Sequence, residues 1–258
     1  MIRTKLAVFM LDSYEMRYVQ NKEKIPSPWS IGEVYECTVP FGLPVPSAKG
    51  YYWFYTGDGR KEKLDTLCSW PQYRAALREK DICFWNKTDK TFGIFGFPLE
   101  KYVISENVKF FQSITPLTVT IKPGDFGEKY SKEIKDTHSW VNRNLNDLNV
   151  ATNFINKNHE LYKKVLEEYD DTIDVMLYYY NTDWFSHSLN GPQLLNKISW
   201  VDAMVGETLD MLKPENVIMF SEHGANHSNN IIFSSTYGFK PDSYKEIIDF
   251  IHVKARNI

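Results

Sequence analysis

The chain carries six histidines in 258 residues, and three of them fall in two short stretches rich in acidic neighbours. "NTDWFSH" sets Asp183 four residues before His187, and "SEHGANH" supplies Glu222, His223 and His227. Asp12 ends a short apolar run near the N-terminus. Carboxylate oxygen together with imidazole nitrogen suits Zn²⁺ or Mn²⁺, and no cysteine lies near these stretches to suggest a softer ion. Six candidate ligands are too many for one tetrahedral ion and about right for two. Two ions roughly 4 Å apart clamp an in-line displacement at phosphorus, one at the nucleophile and one at the leaving oxygen. Taken alone, Asp183/His187 is as readily a chance pair after a strand. Asp12, Asp183/His187 and Glu222/His223/His227 together are much less expected by chance.

Such side chains need elements that bring them to one edge. "KLAVFML" (Lys5–Leu11), "TFGIFGF" (Thr91–Phe97), "TIDVMLYYY" (Thr172–Tyr180) and "ENVIMFS" (Glu215–Ser221, its register read from Asn216) are continuous apolar runs. Such runs predict buried parallel strands. Helical spacing runs through Phe154–Tyr169 and Leu194–Leu212, the latter with Leu195, Ile198, Val201, Val205, Leu209 and Leu212 on one stripe. Lys213-Pro214 stops it. Strands alternating with helices predict an α/β fold with a mostly parallel central sheet flanked by helices. Ligands of such sheets bind at the carboxyl ends of the strands, where these acidic and imidazole groups stand.

A strand ending in Asp12, then Asp183-x-x-x-His187, then Ser221-Glu222-His223-Gly224 resembles the alkaline phosphatase superfamily. The pattern is most similar to its type I phosphodiesterase/nucleotide pyrophosphatase branch. "PSAKGYYWFYTG" places Ser47 ten residues before Gly57 of a Thr-Gly pair, the spacing of that branch's nucleophilic Thr or Ser. Asp89–Phe111 resembles the family segment in which a strand ends in Pro-Leu, here Pro98-Leu99. The resemblance touches four separated blocks in order. It implies a single alkaline phosphatase-like α/β domain over residues 1–258, with reduced insertions. It further implies that Asp12, Ser47, Glu222 and His223 surround one metal ion, and that Asp183 and His187 hold a second with a downstream histidine. His227 is favoured for that third place because it stays near the strand end. The alternative, His252 in "IIDFIHVKARNI", is expected on a C-terminal helix. Glu222 stands where the family has Asp.

The implied activity is hydrolysis of a phosphate ester, as a phosphodiesterase or phosphatase, with two divalent ions (Zn²⁺, alternatively Mn²⁺). Ser47 would form a phospho-enzyme. A sulfatase is disfavoured, since "SAKGY" lacks the modified Cys or Ser followed by Pro and Arg. A phosphoglycerate mutase would need a much longer chain with a second domain. A different class stays open: a degenerate member that binds a phosphorylated ligand or a protein partner without turnover. Lys49, Asn181 and Trp184 are candidate substrate contacts, against the plainer readings of a solvated lysine and a packed tryptophan.

Composition narrows the remainder. A net charge of −3 and a pI near 6.1 argue against a general nucleic-acid binder; the small-molecule phosphate ester expected as substrate is what the resemblance implies. The 15% aromatic content predicts either ordinary core or a ring-lined pocket. Cys37, Cys68 and Cys83 have no metal-ligand spacing and an odd count, which predicts unpaired thiols in a reducing compartment. The N-terminal apolar run is too short to span a membrane and lacks a following cleavage site, so the expected location is the cytoplasm. His138 and His159 sit in polar contexts and are expected on the surface. "YKKVLEEYDD" reads as a solvated helix face.

Overall fold

The computed structural model describes residues 2–20, 28–40, 46–78, 82–99, 104–114, 119–121, 132, 147–169 and 172–258. In chain order the elements are β1 (Arg3–Leu11), α1 (Met16–Gln20), β2 (Val34–Thr38), α2 (Pro46–Thr56), α3 (Lys61–Leu64), α4 (Trp70–Ala76), β3 (Phe92–Phe95), β4 (Val108–Ile114) and β5 (Val119–Ile121). There follow α5 (Leu148–Glu168), β6 (Thr172–Tyr180), α6 (Asp183–Ser188), α7 (Gly191–Leu212), β7 (Asn216–Phe220), β8 (Asn230–Ser235) and α8 (Tyr244–Arg256).

The strands form one eight-stranded sheet in the order β2-β8-β7-β1-β6-β3-β4-β5. Strands β7, β1, β6, β3 and β4 are mutually parallel. Antiparallel pairing is confined to the flanks, where β8 pairs with β7 and β2, and β5 with β4. This is the mostly parallel α/β architecture expected from the apolar runs. Along β1, Leu6, Val8 and Met10 join one apolar cluster while Ala7, Phe9 and Leu11 join the other. Both faces of the strand are therefore covered, which is why its sequence shows no polar alternation. Helices α2, α4 and α8 cover the first face, and α5 and α7 the second.

Boundaries moved where local chemistry decides them. Helix α5 begins at Leu148, ahead of the expected Phe154, because Asp147 caps it by accepting from the Asn149 amide. Helix α7 starts at Gly191, with a proline in its first turn. The buried stripe of α7 is Leu194, Ile198, Val201, Met204, Val205 and Leu212, with Leu195 and Leu209 half-buried. Strand β3 is shorter than expected, ending before Gly96 at φ +81°. In the charge run, Glu167 and Glu168 are exposed while Tyr162, Val165 and Leu166 point inward.

One expectation is corrected. His159 is not a surface residue but is 1% exposed. Its Nδ1 lies 3.1 Å from the Tyr180 hydroxyl and its Nε2 2.9 Å from Glu207 Oε2. With both ring nitrogens satisfied, an imidazole can occupy the inward face of α5; burial lowers its pKa, against the opposing pull of Glu207. His138, residues 100–103 of the Asp89–Phe111 segment, and Asp170 and Asp171 of the charge run lie outside the described residues. Cys37, Cys68 and Cys83 are all free thiols.

Candidate active site

Register places the chemistry. Leu11 of β1 lies opposite Tyr180 of β6, and Met10 opposite Phe220 of β7. The residues that follow, Asp12, Asn181 to Asp183, and Ser221 to His223, therefore emerge at one edge of the sheet. The Asp12 amide donates to the Tyr180 carbonyl at 3.1 Å, and the Thr182 hydroxyl donates to the Asp12 carbonyl, locking two of these strand ends together.

Ser47 arrives from elsewhere. It is the second residue of α2, so its hydroxyl sits at a helix N-terminus, where free amides and the dipole favour an anion. The helix ends at Thr56-Gly57; Gly57 is left-handed at φ +76°, and a side chain there would press on the His252 ring at 3.3 Å. The Thr-Gly pair is thus a helix stop that fixes where α2 lies.

The Ser47 hydroxyl is 2.7 Å from His223 Nε2. On the other side of the ring, His223 Nδ1 lies 2.8 Å from the Gly224 carbonyl. A carbonyl can only accept, so Nδ1 carries the hydrogen, and in the neutral ring Nε2 then presents a lone pair. That lone pair faces Asp12 Oδ1 at 3.3 Å and Glu222 Oε1 at 3.7 Å. Glu222 is fully buried, and among the described residues neither carboxylate oxygen has a hydrogen-bond partner. Burial, then the charge of Asp12, push its carboxyl well above the usual range. Electron-rich atoms converging in a dry site repel one another unless protons or a cation lie between them.

A second, more open group adjoins it. Asp183 Oδ2 is 3.1 Å from His187 Nε2 and 3.6 Å from His227 Nε2, and the two imidazole nitrogens are 3.3 Å apart. Burial raises the Asp183 carboxyl, but the His227 contact, the His223 ring, the Ser13 hydroxyl and His187 outweigh it and hold the group below the usual carboxylate range. The same contact with Asp183 raises His227. Asn226 and His227 both adopt left-handed backbone, at φ 52° and 59°, a conformation that non-glycine residues take up at some cost. Gly224 leaves no room for a side chain, which would strike Ser228 and the Asn230 backbone. The two groups differ in access: the His223 side chain is 0% exposed, against 43% for His187 and 28% for His227.

These contacts bring together Asp12, Ser47, Asp183, His187, Glu222, His223 and His227. Donor atoms of Asp12, Glu222 and His223, and those of Asp183, His223 and His227, each lie within 4.8 Å of one another. Oxygen and imidazole donors at that spacing, with orphaned carboxylate oxygens among them, fit divalent cations. His252 is elsewhere, on α8, its Nε2 2.6 Å from the Phe54 carbonyl and its ring stacked on Phe84. Lys49 is 5% exposed, which removes the solvated reading. Trp184 is half-buried and packs on Phe154 at 5.6 Å. Asn181 is half-buried, and among the described residues its Oδ1 has no hydrogen-bond partner.

Three residues at the site escaped the sequence reading. Ser13, left-handed at φ 61°, donates to Asp183 Oδ1 at 2.6 Å and so bridges two strand ends. Tyr51 and Tyr179 both reach Asp12 Oδ2, at 3.2 and 2.5 Å. The available signals were adjacency for Ser13, a one-turn spacing from Ser47 for Tyr51, and the alternation of "YYY" for Tyr179.

The fold and this edge define an alkaline phosphatase-like α/β protein. The chain belongs to the type I phosphodiesterase / nucleotide pyrophosphatase family, which it matches over residues 50–252. That span includes Asp183, His187, Glu222, His223 and His227; Asp12 and Ser47 precede it. Among solved structures, the chain is similar to the alkaline phosphatase of the Antarctic bacterium TAB5, at 13% identity and a TM-score of 0.51, over 97% of both chains. A variant of that enzyme with Mg bound gives 12% identity and a TM-score of 0.52 over the same shares. Murine ectonucleotide pyrophosphatase / phosphodiesterase 5, in an inactive form complexed with AMP, shows 14% identity and a TM-score of 0.45. That match covers 86% of this chain and 57% of the murine one. Among curated proteins, none matches the chain.

Proposed function

We propose that the protein is a metal-dependent hydrolase of small-molecule phosphate esters, working through a covalent phosphate on Ser47. The observation that carries this reading is the convergence of the His223 Nε2 lone pair, Asp12 Oδ1 and the orphaned Glu222 carboxylate beside the Ser47 hydroxyl. Asp12, Glu222 and His223, with Ser47, would hold one divalent cation, and Asp183, His187 and His227 the other. When bound, such ions, Zn²⁺ first and Mn²⁺ second, neutralise charge on the transferring phosphoryl group and lower the pKa of water or alcohol.

The chain's own groups do the rest. The N-terminus of α2 orients the phosphate, and Ser47 Oγ attacks phosphorus in line, forming the O–P bond as the alcohol leaves. His223, its Nδ1–H engaged by Gly224, is fixed with Nε2 toward that oxygen. Water enters from the open side, past His187 and His227, to release phosphate from Ser47. Buried Lys49, two residues after Ser47, and Asn181 with its unpaired Oδ1 are proposed to meet the substrate; Trp184, packed on Phe154, is the weaker candidate. Among the described residues no helix is long and apolar enough to cross a membrane. The three free cysteines support a reducing, cytoplasmic setting.

Elemental analysis with aryl phosphate monoesters and diesters tests the reading. Two ions per chain and turnover are expected, with Ser47→Ala lowering the rate by roughly three or more orders of magnitude. Near-normal hydrolysis by Ser47→Ala would assign the attack to another nucleophile. Because Glu222 occupies a position that the family fills with Asp, a second reading is a binder of phosphorylated ligands; bound metal with no turnover of any ester would select it.

A further inference from the structure

The Asp12 carboxylate is held from behind by two phenols. Tyr179 Oη lies 2.5 Å from Asp12 Oδ2, Tyr51 Oη 3.2 Å from the same oxygen, and the two hydroxyls are 2.5 Å apart. Each phenol has one hydrogen. Tyr179 donates to the carboxylate, so Tyr51 donates chiefly to Tyr179 and more weakly to Oδ2. The chain therefore runs Tyr51 to Tyr179 to Asp12. It occupies Oδ2 and leaves Oδ1, which faces His223 and meets only the Ser13 hydroxyl at a long 3.5 Å, to act as a ligand.

The placement joins three parts of the sequence. Tyr51 is four residues after Ser47, one turn along α2. Tyr179 lies in β6, four residues before Asp183, and points to the opposite sheet face from Tyr178 and Tyr180. Asp12 ends β1. Ring packing alone would be served equally by phenylalanine. The neighbouring Tyr178 shows the contrast, its buried hydroxyl having no hydrogen-bond partner among the described residues.

We propose that Tyr51 and Tyr179 are positioning residues: they fix the Asp12 carboxylate to offer Oδ1 alone, and they tie the helix bearing Ser47 to that ligand. This rests on the two-cation reading above. The role is that of an outer partner which orients a metal ligand, and loss of such a partner typically weakens metal affinity by about 10- to 100-fold.

The test uses the full chain in an Asp183→Ala background, which leaves the buried site alone, and reads Zn²⁺ affinity by competition with a chromophoric chelator. Tyr179→Phe is expected to weaken that affinity roughly 10- to 100-fold and to alter the visible spectrum of bound Co²⁺. Tyr51→Phe should do the same to a smaller degree, and it serves as the second variant if Tyr179→Phe folds poorly. Tyr178→Phe, which removes a buried hydroxyl with no hydrogen-bond partner among the described residues, should change neither. With the other site intact, kcat should fall more than KM changes. A parent chain that binds no Zn²⁺ would remove the two-cation reading and this inference with it. A parent that binds Zn²⁺, with unchanged affinity and spectrum in both Phe variants, would overturn the inference alone.

Discussion

Glu222 has the longest reach of the acidic groups at the sheet edge and the fewest partners. Its charge is that of aspartate, so electrostatics alone would treat the two alike. Geometry does not: metal–oxygen distances near 2.0–2.2 Å are strict, and removing a methylene withdraws the carboxylate by about 1 Å. Glu222 Oε1 already sits 3.7 Å from His223 Nε2, within the donor cluster, and the residue is fully buried. We infer from this that the longer arm suits the site. Glu222→Asp is therefore expected to lower both Zn²⁺ or Mn²⁺ affinity and aryl-phosphate turnover; a clear gain in both would mean that the longer arm is a defect. The acidic and imidazole candidates were legible because their types are scarce and clustered. Ser13, Tyr51 and Tyr179 were not, because serine and tyrosine are common and only contact gives them a role.

At the scale of elements, His252 shows how the frame behind the site is held. It joins α8 to the C-terminal end of α2 through the Phe54 carbonyl and stacks on Phe84 at 4.1 Å. Burial pulls its pKa down to about 4. Because the folded value lies below that of the unfolded chain, the unfolded state binds the extra proton first. Its contribution is therefore fully present above about pH 6.5 and is lost as pH falls toward 4, with a size on the order of 3 kcal/mol. His252→Gln keeps a side-chain donor but cannot titrate in this window. Urea unfolding at pH 7 and pH 4.5 should show a smaller loss of stability for His252→Gln than for the parent. Equal losses would place the acid sensitivity elsewhere.

For the whole molecule, cation binding by the acidic cluster, as proposed, would make binding and stability one equilibrium. A ligand that binds the folded chain at 100 times its dissociation constant adds about 2.7 kcal/mol, a shift of roughly 5–10 °C for a domain of this size. Chelation should lower the melting temperature by that order, and Zn²⁺ should restore it. Asp183→Ala or His187→Ala should each remove about one ion per chain with the fold intact. Unchanged metal content in both variants would sink the assignment of that group.

What the sequence determined by itself was the set of strands buried on both faces and the polar residues that end them. Unbroken apolar runs have few places to go except the middle of a covered sheet, and ligands gather where such strands stop. The less apolar strands β2, β4, β5 and β8 were not identified as strands, since pairing rather than pattern makes them. His159 was misread for a related reason: a polar neighbourhood along the chain says nothing of Tyr180 and Glu207 waiting across the helix face. The family resemblance implied that Ser47 and His223 share a site, but only the tertiary structure gave their direct contact across 176 positions of sequence and the two phenols on one oxygen of Asp12. Those relations depend on the register of β1 against β6 and on the seat of α2, which no local spacing encodes.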